Sequence, residues 1–508
     1  MSPHRPRFKN HLTGSGLSED AVDPIANFTA ALGTFSRGDG PLYQQLAQAI
    51  TRAVERSDVL PGTRLPPERA LADALKLSRT TVVQAYARLR EAGTIESRHG
   101  SGTWVRRAGK TAWPSPQEHE VSSAFRRNVV FRSLIERAGD TIGFVSAQLP
   151  PLPAVNAAAK EVARQGTRAL GDGEGYHPMG LPALRQAVAV HLGQSGLPTR
   201  AEQVLITSGA QQAISLVAGL LVARGESVIT EDPTYIGAID VLVSAGARVL
   251  TLPGAADGID LDRLRALLAV RPRLLYVVPT FHNPTGALMP DHTRREIAGM
   301  SEELQVPVVE DNTLAGISLG RNPPPPIAAF AKNAPILTIG SLSKVFWAGL
   351  RVGFIRGPET WIARLGRFKA LSDLGSPLFT QAMAVLLLEH MPAAETDRRH
   401  EVSAKLELLI RLLGKHAPTW TWKKPAGGLL LWARMPAGDA DELAQIALRH
   451  GVTLVTGSAN SPDHRFADCV RLPLVADAAT MTEGIARLGQ ACREYQPRPR
   501  ATGFDVIV

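Results

Sequence analysis

The chain has 508 residues, which is too long for one hydrophobic core and predicts two or more domains. Hydrophobic residues make up 44% of it and charged residues 20%, a balance typical of globular proteins rather than of disordered or membrane-embedded ones. The formal net charge of +9 permits an anionic partner without naming one.

Cysteine content and hydropathy exclude several classes of protein. The two cysteines, Cys469 and Cys492, are too few for a disulfide scaffold and their spacing suits no metal site. No run of 18 uncharged apolar residues predicts a membrane span. The N-terminus lacks the apolar core of a secretory signal, so residues 1–38 are interpreted as a flexible leader. We therefore expect a cytoplasmic protein with no bound metal and no membrane contact.

Residues 39–107 have the pattern of a small helical module. A first helix is predicted over Pro41–Arg56, where apolar residues recur every three or four positions. A second helix follows the prolines at 66–67, and a third begins after Ser78, a residue type that caps helix N-termini. Two short strands, Thr94–Arg98 and Thr103–Arg106, come next. Three helices and a two-stranded wing predict a winged helix-turn-helix.

In a winged helix the second helix of the turn unit enters the DNA major groove. Here that helix starts with hydroxyl side chains, an arginine and a glutamine, types that reach phosphates and base edges. Solvated surface side chains are the alternative for each of them. The predicted DNA-contacting residues are Arg64, Arg69, Ser78, Arg79, Thr80, Thr81, Gln84, His99 and Gly100.

The residues Leu65–Val105 read LPPERALADALKLSRTTVVQAYARLREAGTIESRHGSGTWV. This stretch resembles the GntR-family DNA-binding domain almost without gaps. The resemblance implies that the module binds promoter DNA, which favours the DNA-contacting interpretation over the solvated one for the module as a whole. Residues 108–141, of mixed composition, are interpreted as an interdomain linker.

From residue 142 to residue 496 short apolar runs alternate with helical patterns. That rhythm predicts an α/β domain with a largely parallel sheet, in which ligands lie beyond the carboxyl ends of the strands. Residues from about Ser376 to Gln496 should form a smaller C-terminal subdomain, and 497–508 a loose tail. The predicted strands are Gln203–Thr207, Ser227–Thr230, Ala247–Leu252, Arg273–Val278, Pro307–Val309, Pro335–Ile339 and Val352–Ile355.

The candidate chemistry centres on Gly340–Gly353, which reads GSLSKVFWAGLRVG. A lysine amine forms a Schiff base with an aldehyde, and an apolar pocket keeps that amine unprotonated. Lys344 is therefore predicted to anchor an aldehyde, while Ser341, Ser343 and Arg351 supply donors for a phosphate on the same molecule. These features predict a pyridoxal 5'-phosphate (PLP) site. The alternative is a surface loop, but the apolar neighbours of the lysine favour burial: Phe346, Trp347, Leu350 and Val352.

Residues at other strand ends would complete the same site. The backbone of Ser208-Gly209-Ala210, which opens a helix, would bind the phosphate. Tyr235 would stack on the pyridine ring and Asn283 would hydrogen-bond its hydroxyl. Asp311 would keep the pyridine nitrogen protonated, which makes the ring an electron sink. Arg471 suits the carboxylate of an amino-acid ligand. Taken singly, each could instead be a turn, cap or surface residue, but their order along the strand ends favours one site.

Residues 142–496 resemble the fold type I, class I aminotransferases. The resemblance implies that Tyr176 reaches the phosphate of the partner subunit and that the site lies at a homodimer interface. Together with the GntR resemblance, the arrangement is similar to the MocR/GabR subfamily of bacterial regulators. Membership of that subfamily implies a lysine-bound PLP, an effector that is an amine, an amino acid or PLP itself, and promoter control by a dimer that is often head-to-tail.

Two positions depart from the family pattern. Thr313 stands where a tyrosine commonly contacts the ring hydroxyl, and its shorter side chain leaves that hydrogen bond to Asn283. Ala348 stands where proline is frequent, which should matter little. The loss of the tyrosine puts efficient transamination in doubt more than PLP binding. Three functions stay open: a PLP-dependent regulator, an active aminotransferase that carries a DNA-binding domain, and a PLP sensor without amine chemistry.

Overall fold

The chain folds into two compact units. The small unit is drawn from Met1–Gly33 and Leu46–Gly109, and the large unit from Thr34–Gln45 and Lys110–Val508. None of the described helices combines the length and the apolar character needed to cross a bilayer. The computed structural model describes residues 24–32, 40–55, 58–60, 62–98, 102–106, 141–170, 174–255, 258–320 and 322–496.

The small unit has the predicted three helices and two-stranded wing. Ser78 caps the third of these helices, because its side chain accepts a hydrogen bond from the Thr81 backbone nitrogen at 3.1 Å. The predicted apolar stripe of that helix, which includes Val82 and Tyr86, is buried. The described elements, of which the two strands pair antiparallel, are α1 Pro24–Leu32, α2 Leu42–Glu55, α3 Glu68–Leu75, α4 Arg79–Glu91, β1 Ile95–Arg98 and β2 Gly102–Val105.

The expectation of a flexible leader is wrong for part of its length. Residues Pro24–Leu32 form α1, which packs against α3 and buries Phe28, Ala31 and Leu32. These three residues have the i, i+3, i+4 spacing of an amphipathic helix, which is the signal that the sequence analysis missed. The rest of the leader, the linker up to residue 140 and the tail 497–508 lie outside the described residues.

An eight-stranded sheet forms the centre of the large unit and contains all seven predicted strands. Its strand order is β4 Val204–Thr207, β11 Gly353–Arg356, β10 Ile336–Ser341, β9 Val308–Asp311, β8 Leu275–Val277, β5 Ser227–Asp232, β6 Arg248–Ala255 and β7 Gly258–Ile259. The five strands from β10 to β6 in this order pair in parallel, whereas β11 is antiparallel to both of its neighbours. The prediction of a largely parallel sheet is confirmed.

Helices cover both faces of this sheet, which is why its strands are apolar on both sides. The helices of the large unit are α5 Pro153–Gln165, α6 Pro182–Gln194, α7 Ala210–Leu221, α8 Ile236–Ser244, α9 Leu261–Leu268, α10 Asp291–Leu304, α11 Glu359–Asp373, α12 Leu378–Glu389, α13 Met391–His416, α14 Ala440–Arg449 and α15 Ala478–Glu494. Buried residues of α7, α8 and α11 form one hydrophobic cluster with the sheet, and those of α6, α9, α10 and α12 form another.

A second, five-stranded sheet confirms a C-terminal subdomain but corrects its extent. The strand order is β12 Thr421–Trp422, β13 Leu430–Arg434, β15 Cys469–Pro473, β14 Val452–Thr456 and β3 Ile142–Phe144. Strand β3 belongs to the start of the large unit and pairs in parallel with β14. The subdomain is therefore not continuous in sequence, and no local pattern could have revealed a strand partner so far along the chain.

Strand direction decides where the candidate site forms. Strands β4, β10, β9, β8 and β5 point the same way, so their carboxyl ends meet at one edge of the large sheet. Strand β11 runs in the opposite direction, so its start lies at that same edge. Residues that follow these five strands therefore lie at the same edge as the residues that precede β11.

Candidate functional site

The carboxyl edge of the large sheet carries the predicted site residues. Ser208 follows β4, Tyr235 follows β5 and Asn283 follows β8, while Asp311 ends β9 and Lys344 follows β10. Each residue comes from a different strand, and the strands are neighbours or near neighbours in the sheet. The tertiary structure therefore places these five residues along one edge, as their positions at strand ends predicted.

Arg351 and Gly209 form a cradle for an anion. Gly209 lies at the start of α7 with φ 112°, and a Cβ added to it would lie 2.9 Å from an Nη atom of Arg351. The guanidinium thus rests against the helix N-terminus, where free N–H groups and the helix dipole favour negative charge. Gly353 approaches the Gly209 backbone equally closely, since its Cβ would lie 2.8 Å from Gly209 Cα. This cradle has the charge and the donors that a phosphate requires.

The two serines near the lysine differ in what they offer. Ser341 Oγ donates to the Val352 carbonyl at 3.3 Å and accepts from the Ser343 backbone nitrogen at 3.2 Å. Ser343 Oγ is buried and has no hydrogen-bond partner among the described residues. Ser341 therefore shapes the loop, while Ser343 keeps a hydroxyl for a ligand. Ser208 also uses its N–H within the chain, because that group donates to Gln212 Oε1 at 2.8 Å.

Lys344 has the environment of a reactive amine. Its Nζ donates to the Ala147 carbonyl at 3.0 Å. Burial, and then the positive charge of Arg471, lower the pKa of Lys344 to about 8, although Asp311 opposes the shift. A substantial fraction of this amine is therefore neutral, and hence nucleophilic, at physiological pH.

Burial of the segment around Lys344 is confirmed with one exception. Phe346, Leu350 and Val352 are at most 1% exposed. Trp347 is 39% exposed, so its predicted burial is wrong. Its indole ring lies over Gly349, within the short 3-10 helix Ala348–Leu350, so it covers the turn from outside instead of entering the core.

Asp311 is held by two donors. Its Oδ2 accepts from the Tyr276 hydroxyl at 2.8 Å, and its Oδ1 accepts from the Thr313 backbone nitrogen at 2.9 Å. Burial, and then the charge of Asp311, raise the pKa of Tyr276 well above its usual value, so the phenol stays protonated and keeps donating. The carboxylate is thereby fixed in orientation at the end of β9. The Thr313 hydroxyl itself is buried and has no partner in the part of the chain that the structure describes.

Arg471 lies in the second sheet rather than at the edge of the first. It sits in β15 between Trp432 of β13 and Val455 of β14 and is 2% exposed. One Nη donates to the Val145 carbonyl, but the buried Nε finds no acceptor among the described residues. Burial lowers the pKa of Arg471 to about 10, so it remains a cation at neutral pH. A buried guanidinium with an unused donor fits a carboxylate.

The other cofactor residues differ in exposure. Tyr235 is partly buried and donates from its hydroxyl to Gln211 Oε1 at 3.0 Å. Burial, and then the charge of Asp311, raise the pKa of Tyr235 to about 12. Asn283 Oδ1 is buried and accepts no hydrogen bond from the described residues. Tyr176 is 67% exposed.

Together these observations fit two ligands, one that carries a phosphate and an aldehyde and a second that carries a carboxylate. Buried polar atoms in proteins are normally hydrogen-bonded, so unpaired ones mark places where a ligand or water binds. Within the described residues, Ser343 Oγ, Asn283 Oδ1 and Arg471 Nε are such atoms. The charges of Arg471 and Asp311 both act on Lys344, which places the three groups in one electrostatic environment.

Most of the predicted DNA-contacting residues that the structure describes are exposed to solvent. Arg64, Arg69, Arg79, Thr80 and Gln84 are exposed. The Ser78 and Thr81 hydroxyls lie 2.8 Å apart, so these two residues cap the helix and engage each other. The Arg64 guanidinium lies against the wing, 3.0 Å from where a Cβ of Gly102 would be. His99 and Gly100 lie outside the described residues.

Comparison with known proteins matches both units to families. Residues 143–488 match the family model for aminotransferase class I and II, and residues 42–105 match that for bacterial regulatory proteins of the gntR family. The chain is 31% identical to the uncharacterized HTH-type transcriptional regulator YdfD of Bacillus subtilis, over 90% of this chain and 98% of that protein. It is 30% identical to the probable rhizopine catabolism regulatory protein MocR of Rhizobium meliloti, over 89% of this chain and 94% of that protein.

The chain belongs to the MocR/GabR subfamily of GntR-family regulators. The large unit of this MocR-type chain has the fold of PLP-dependent aminotransferases. It is similar to the crystal structure of LysN, the alpha-aminoadipate aminotransferase of Thermus thermophilus, complexed with N-(5'-phosphopyridoxyl)-L-leucine. The TM-score is 0.65 at 30% identity, over 73% of this chain and 97% of that one. The expected fold type I architecture and its cofactor class are confirmed.

The sequence analysis missed several residues that organise this MocR-type site. Tyr276 holds Asp311, Gln211 holds Tyr235 and Gln212 holds Ser208. An aromatic hydroxyl inside the apolar strand β8 was the available signal for Tyr276, since a buried phenol needs a partner. The segment Val145–Ala147, which accepts from Arg471 and Lys344 through its carbonyls, left no signal in side-chain chemistry.

We expect the uptake of PLP by cofactor-free protein to depend on pH with a midpoint near 8. The neutral amine is the nucleophile, and the pKa of Lys344 is about 8. The rate is measured from the growth of visible absorbance after mixing with PLP between pH 6 and 10. Arg471→Met removes a positive charge that lowers this pKa, so it should move the midpoint upward. A midpoint above pH 10 in the unmodified protein would contradict the assignment.

Proposed function

We propose that the protein is a transcription regulator that binds PLP and senses an amine, an amino acid or PLP itself through the amine of Lys344. Its winged helix binds promoter DNA and reports the ligand state. The observation that carries this proposal is that Asp311 and Lys344 lie at the same ends of the neighbouring strands β9 and β10, in a chain whose helix α4 presents an exposed, donor-rich start. DNA binding itself is a property of the gntR-family unit.

Each residue of the site has a proposed part in sensing. Bound PLP supplies an aldehyde carbon that a primary amine can attack and a pyridine ring that withdraws electrons. Lys344 and an effector amine would both be able to react at that carbon. Asp311, fixed by Tyr276, would accept the hydrogen bond of a protonated ring nitrogen, and Arg351 with the start of α7 would hold the phosphate. Arg471 holds a carboxylate on the effector, which distinguishes amino acids from simple amines.

The segment Val145–Ala147 is the proposed link between sensing and regulation. Its carbonyls at 145 and 147 accept from Arg471 and Lys344, so a ligand that engages either cation competes with this segment. The segment continues directly from β3, near the start of the large unit and close in sequence to the predicted linker. A ligand shifts a conformational equilibrium only through such a difference in contacts between two states.

A homodimer, of the head-to-tail type that the subfamily often forms, is part of the proposal. Tyr176 would reach the phosphate held by the partner subunit. Its 67% exposure, together with the exposed apolar side chains Leu371 and Leu374, supports a surface that a second copy covers. Because the winged helix needs access to chromosomal DNA, we place the protein in the cytoplasm.

An active aminotransferase that carries a DNA-binding unit is the second candidate. The observation in its favour is that Lys344, Asp311 and Arg471 share one electrostatic environment. Thr313, whose hydroxyl is buried and finds no partner in the described chain, stands against rapid turnover because it cannot reach where the family tyrosine would.

The protein should form at most about one equivalent of keto acid per subunit from an amino donor and a 2-oxo acid. The short side chain of Thr313 leaves the ring hydroxyl with one hydrogen-bonding residue, Asn283, so repeated turnover is not supported. The measurement is a coupled assay of the keto acid with the protein at known concentration. Production over many turnovers would establish the enzyme instead.

Lys344→Ala should abolish the visible absorbance that PLP gives when it is joined to a lysine. The substitution removes the amine that attacks the aldehyde carbon. The measurement is a spectrum of purified protein after incubation with PLP, followed by titration with candidate amines in the presence and absence of promoter DNA. Lys332→Ala, at an exposed lysine of the same unit, is the control and should leave the band unchanged. Survival of the band in Lys344→Ala would refute the lysine assignment.

Arg79→Ala should weaken promoter binding by about 1–3 kcal/mol if this side chain reads a base. Arg79 is exposed at the start of α4, the end of a recognition helix that approaches base edges. The measurement is an affinity titration at fixed salt, because phosphate contacts depend steeply on ionic strength. Arg88→Ala, in the last turn of the same helix, is the matched control. Unchanged affinity would assign Arg79 to the solvated surface.

A further inference from the structure

The turn that follows Asp311 forms part of the wall of a cavity. Its volume is about 400 Å³, within the range of about 300–1,000 Å³ typical of small-molecule sites. The described residues that line it include Asn312, Thr313 and Ser341, but not Lys344 or Arg471. The cavity therefore has a lining different from that of the site already described, although Thr313 and Ser341 belong to the surroundings of both.

Apolar side chains form one part of the wall of this cavity. They come from three helices, from the loop after β10 and from β11, and most of them belong to the hydrophobic core of the large unit. Such a surface favours a ligand with an aliphatic or thioether group. The larger apolar lining residues include Leu192, Leu342, Val345, Phe354, Leu388 and Met391.

Polar atoms without partners lie in the other lining residues. Both amide atoms of Asn312, the hydroxyl of Thr313 and Nε of Arg399 are buried and make no hydrogen bond among the described residues. Because native proteins leave few such atoms unpaired, their concentration in the residues that line one cavity indicates a place for a polar ligand. An amide offers a donor and an acceptor side by side, and the Arg399 Nε–H is a donor that suits a carboxylate.

The cavity also contains a charge of each sign. Glu395 and Arg399 lie one turn apart on α13, so both can face the same space. The Glu395 carboxylate rests against Gly316, since a Cβ on that glycine would lie 3.0 Å from Oε1. Burial raises the pKa of Glu395, and the nearby Arg399 opposes the rise. A ligand that brings a positive charge to Glu395 and a negative charge to Arg399 would offset the cost of burying both.

We propose that this cavity binds a free α-amino acid with an apolar side chain. The ammonium group pairs with Glu395, the carboxylate pairs with Arg399, and Asn312 completes the hydrogen bonds. The side chain packs against Leu342 and Leu388. No covalent bond is formed, so this site differs in kind from the one at Lys344. The proposal does not rest on the proposed regulatory function.

Binding of a ligand in the cavity should alter the orientation of Asp311 at the cofactor site. Asn312 donates from its backbone nitrogen to the Ile339 carbonyl at 2.9 Å, and the Thr313 backbone nitrogen donates to Asp311 at 2.9 Å. A ligand held by Asn312 therefore touches the turn that orients the carboxylate of Asp311. An amino acid in the cavity could therefore influence the cofactor site through this turn, without competing for the amine of Lys344.

The test is a calorimetric titration of protein whose PLP has been fixed to Lys344 by borohydride reduction, so that no amine exchanges there. L-methionine should bind with one site per subunit. Its two halves, 3-methylthiopropylamine and 4-methylthiobutanoate, should each bind at least about tenfold more weakly, because each satisfies one charge only. Absence of L-methionine binding, or equal binding of either half, would overturn the proposal.

Matched variants locate the binding. Glu395→Gln and Arg399→Gln should each weaken L-methionine binding at least about tenfold, whereas Glu407→Gln and Arg411→Gln, an exposed pair with the same spacing on α13, should not change it. Ala315→Leu, which fills part of the cavity and leaves both charges in place, should also remove binding. Thermal unfolding of each variant checks that it has folded. Binding that all three cavity variants retain would refute the site.

A background without cofactor separates this proposal from the proposed function. If the protein took up no PLP, the same titration with Lys344→Ala protein, which has no amine to join, would still report on the cavity. If neither the borohydride-reduced protein nor Lys344→Ala binds L-methionine, the result counts against the cavity proposal alone. Loss of the visible band with L-methionine binding intact counts against the lysine assignment alone.

Discussion

The protonation of the Lys344 amine is opposed by burial and by a neighbouring positive charge, and it is favoured by one carboxylate. Burial and the charge of Arg471 lower its pKa, while Asp311 raises it, and the balance falls at about 8. A lysine at its ordinary pKa would be almost fully charged in the cell and slow to attack an aldehyde. The rest of the large unit can be understood as the structure needed to keep this amine, this guanidinium and this carboxylate close together and largely dry.

The large sheet achieves this arrangement through strand direction. Parallel strands place Asp311 and Lys344 at one edge, and β11, which runs in the opposite direction, places Arg351 at the same edge. A side chain at Gly353 would collide with the Gly209 backbone, and a side chain at Gly209 would collide with the Arg351 guanidinium. The anion cradle therefore depends on two glycines that are far apart in the chain and adjacent in space.

Two features make the site suited to regulation as well as to cofactor binding. Arg471 comes from the second sheet, and it contacts the segment that leads out of β3, so ligand contacts are shared between the two sheets of the large unit. The Asp311–Thr313 turn contributes to both the cofactor site and an amphipathic cavity, because Asp311 belongs to the first while Asn312 and Thr313 line the second. A turn with ligands on both of its faces can combine two chemical signals. Coupling of this kind requires only that each ligand contacts the turn differently in two states.

The sequence by itself determined the local structure and identified which side chains could take part in the chemistry of the site. Helix caps such as Ser78, the alternation of apolar runs with helical patterns, and the reactive context of Lys344 depend on residues near one another in the chain, so their physical meaning could be read directly. The pairing of β3 with β14, the Tyr276–Asp311 hydrogen bond, the exposure of Trp347 and the cavity beside Thr313 were decided by the tertiary structure. Each of these arises where segments pack against one another in space, and such packing leaves no periodic signal in the order of residues.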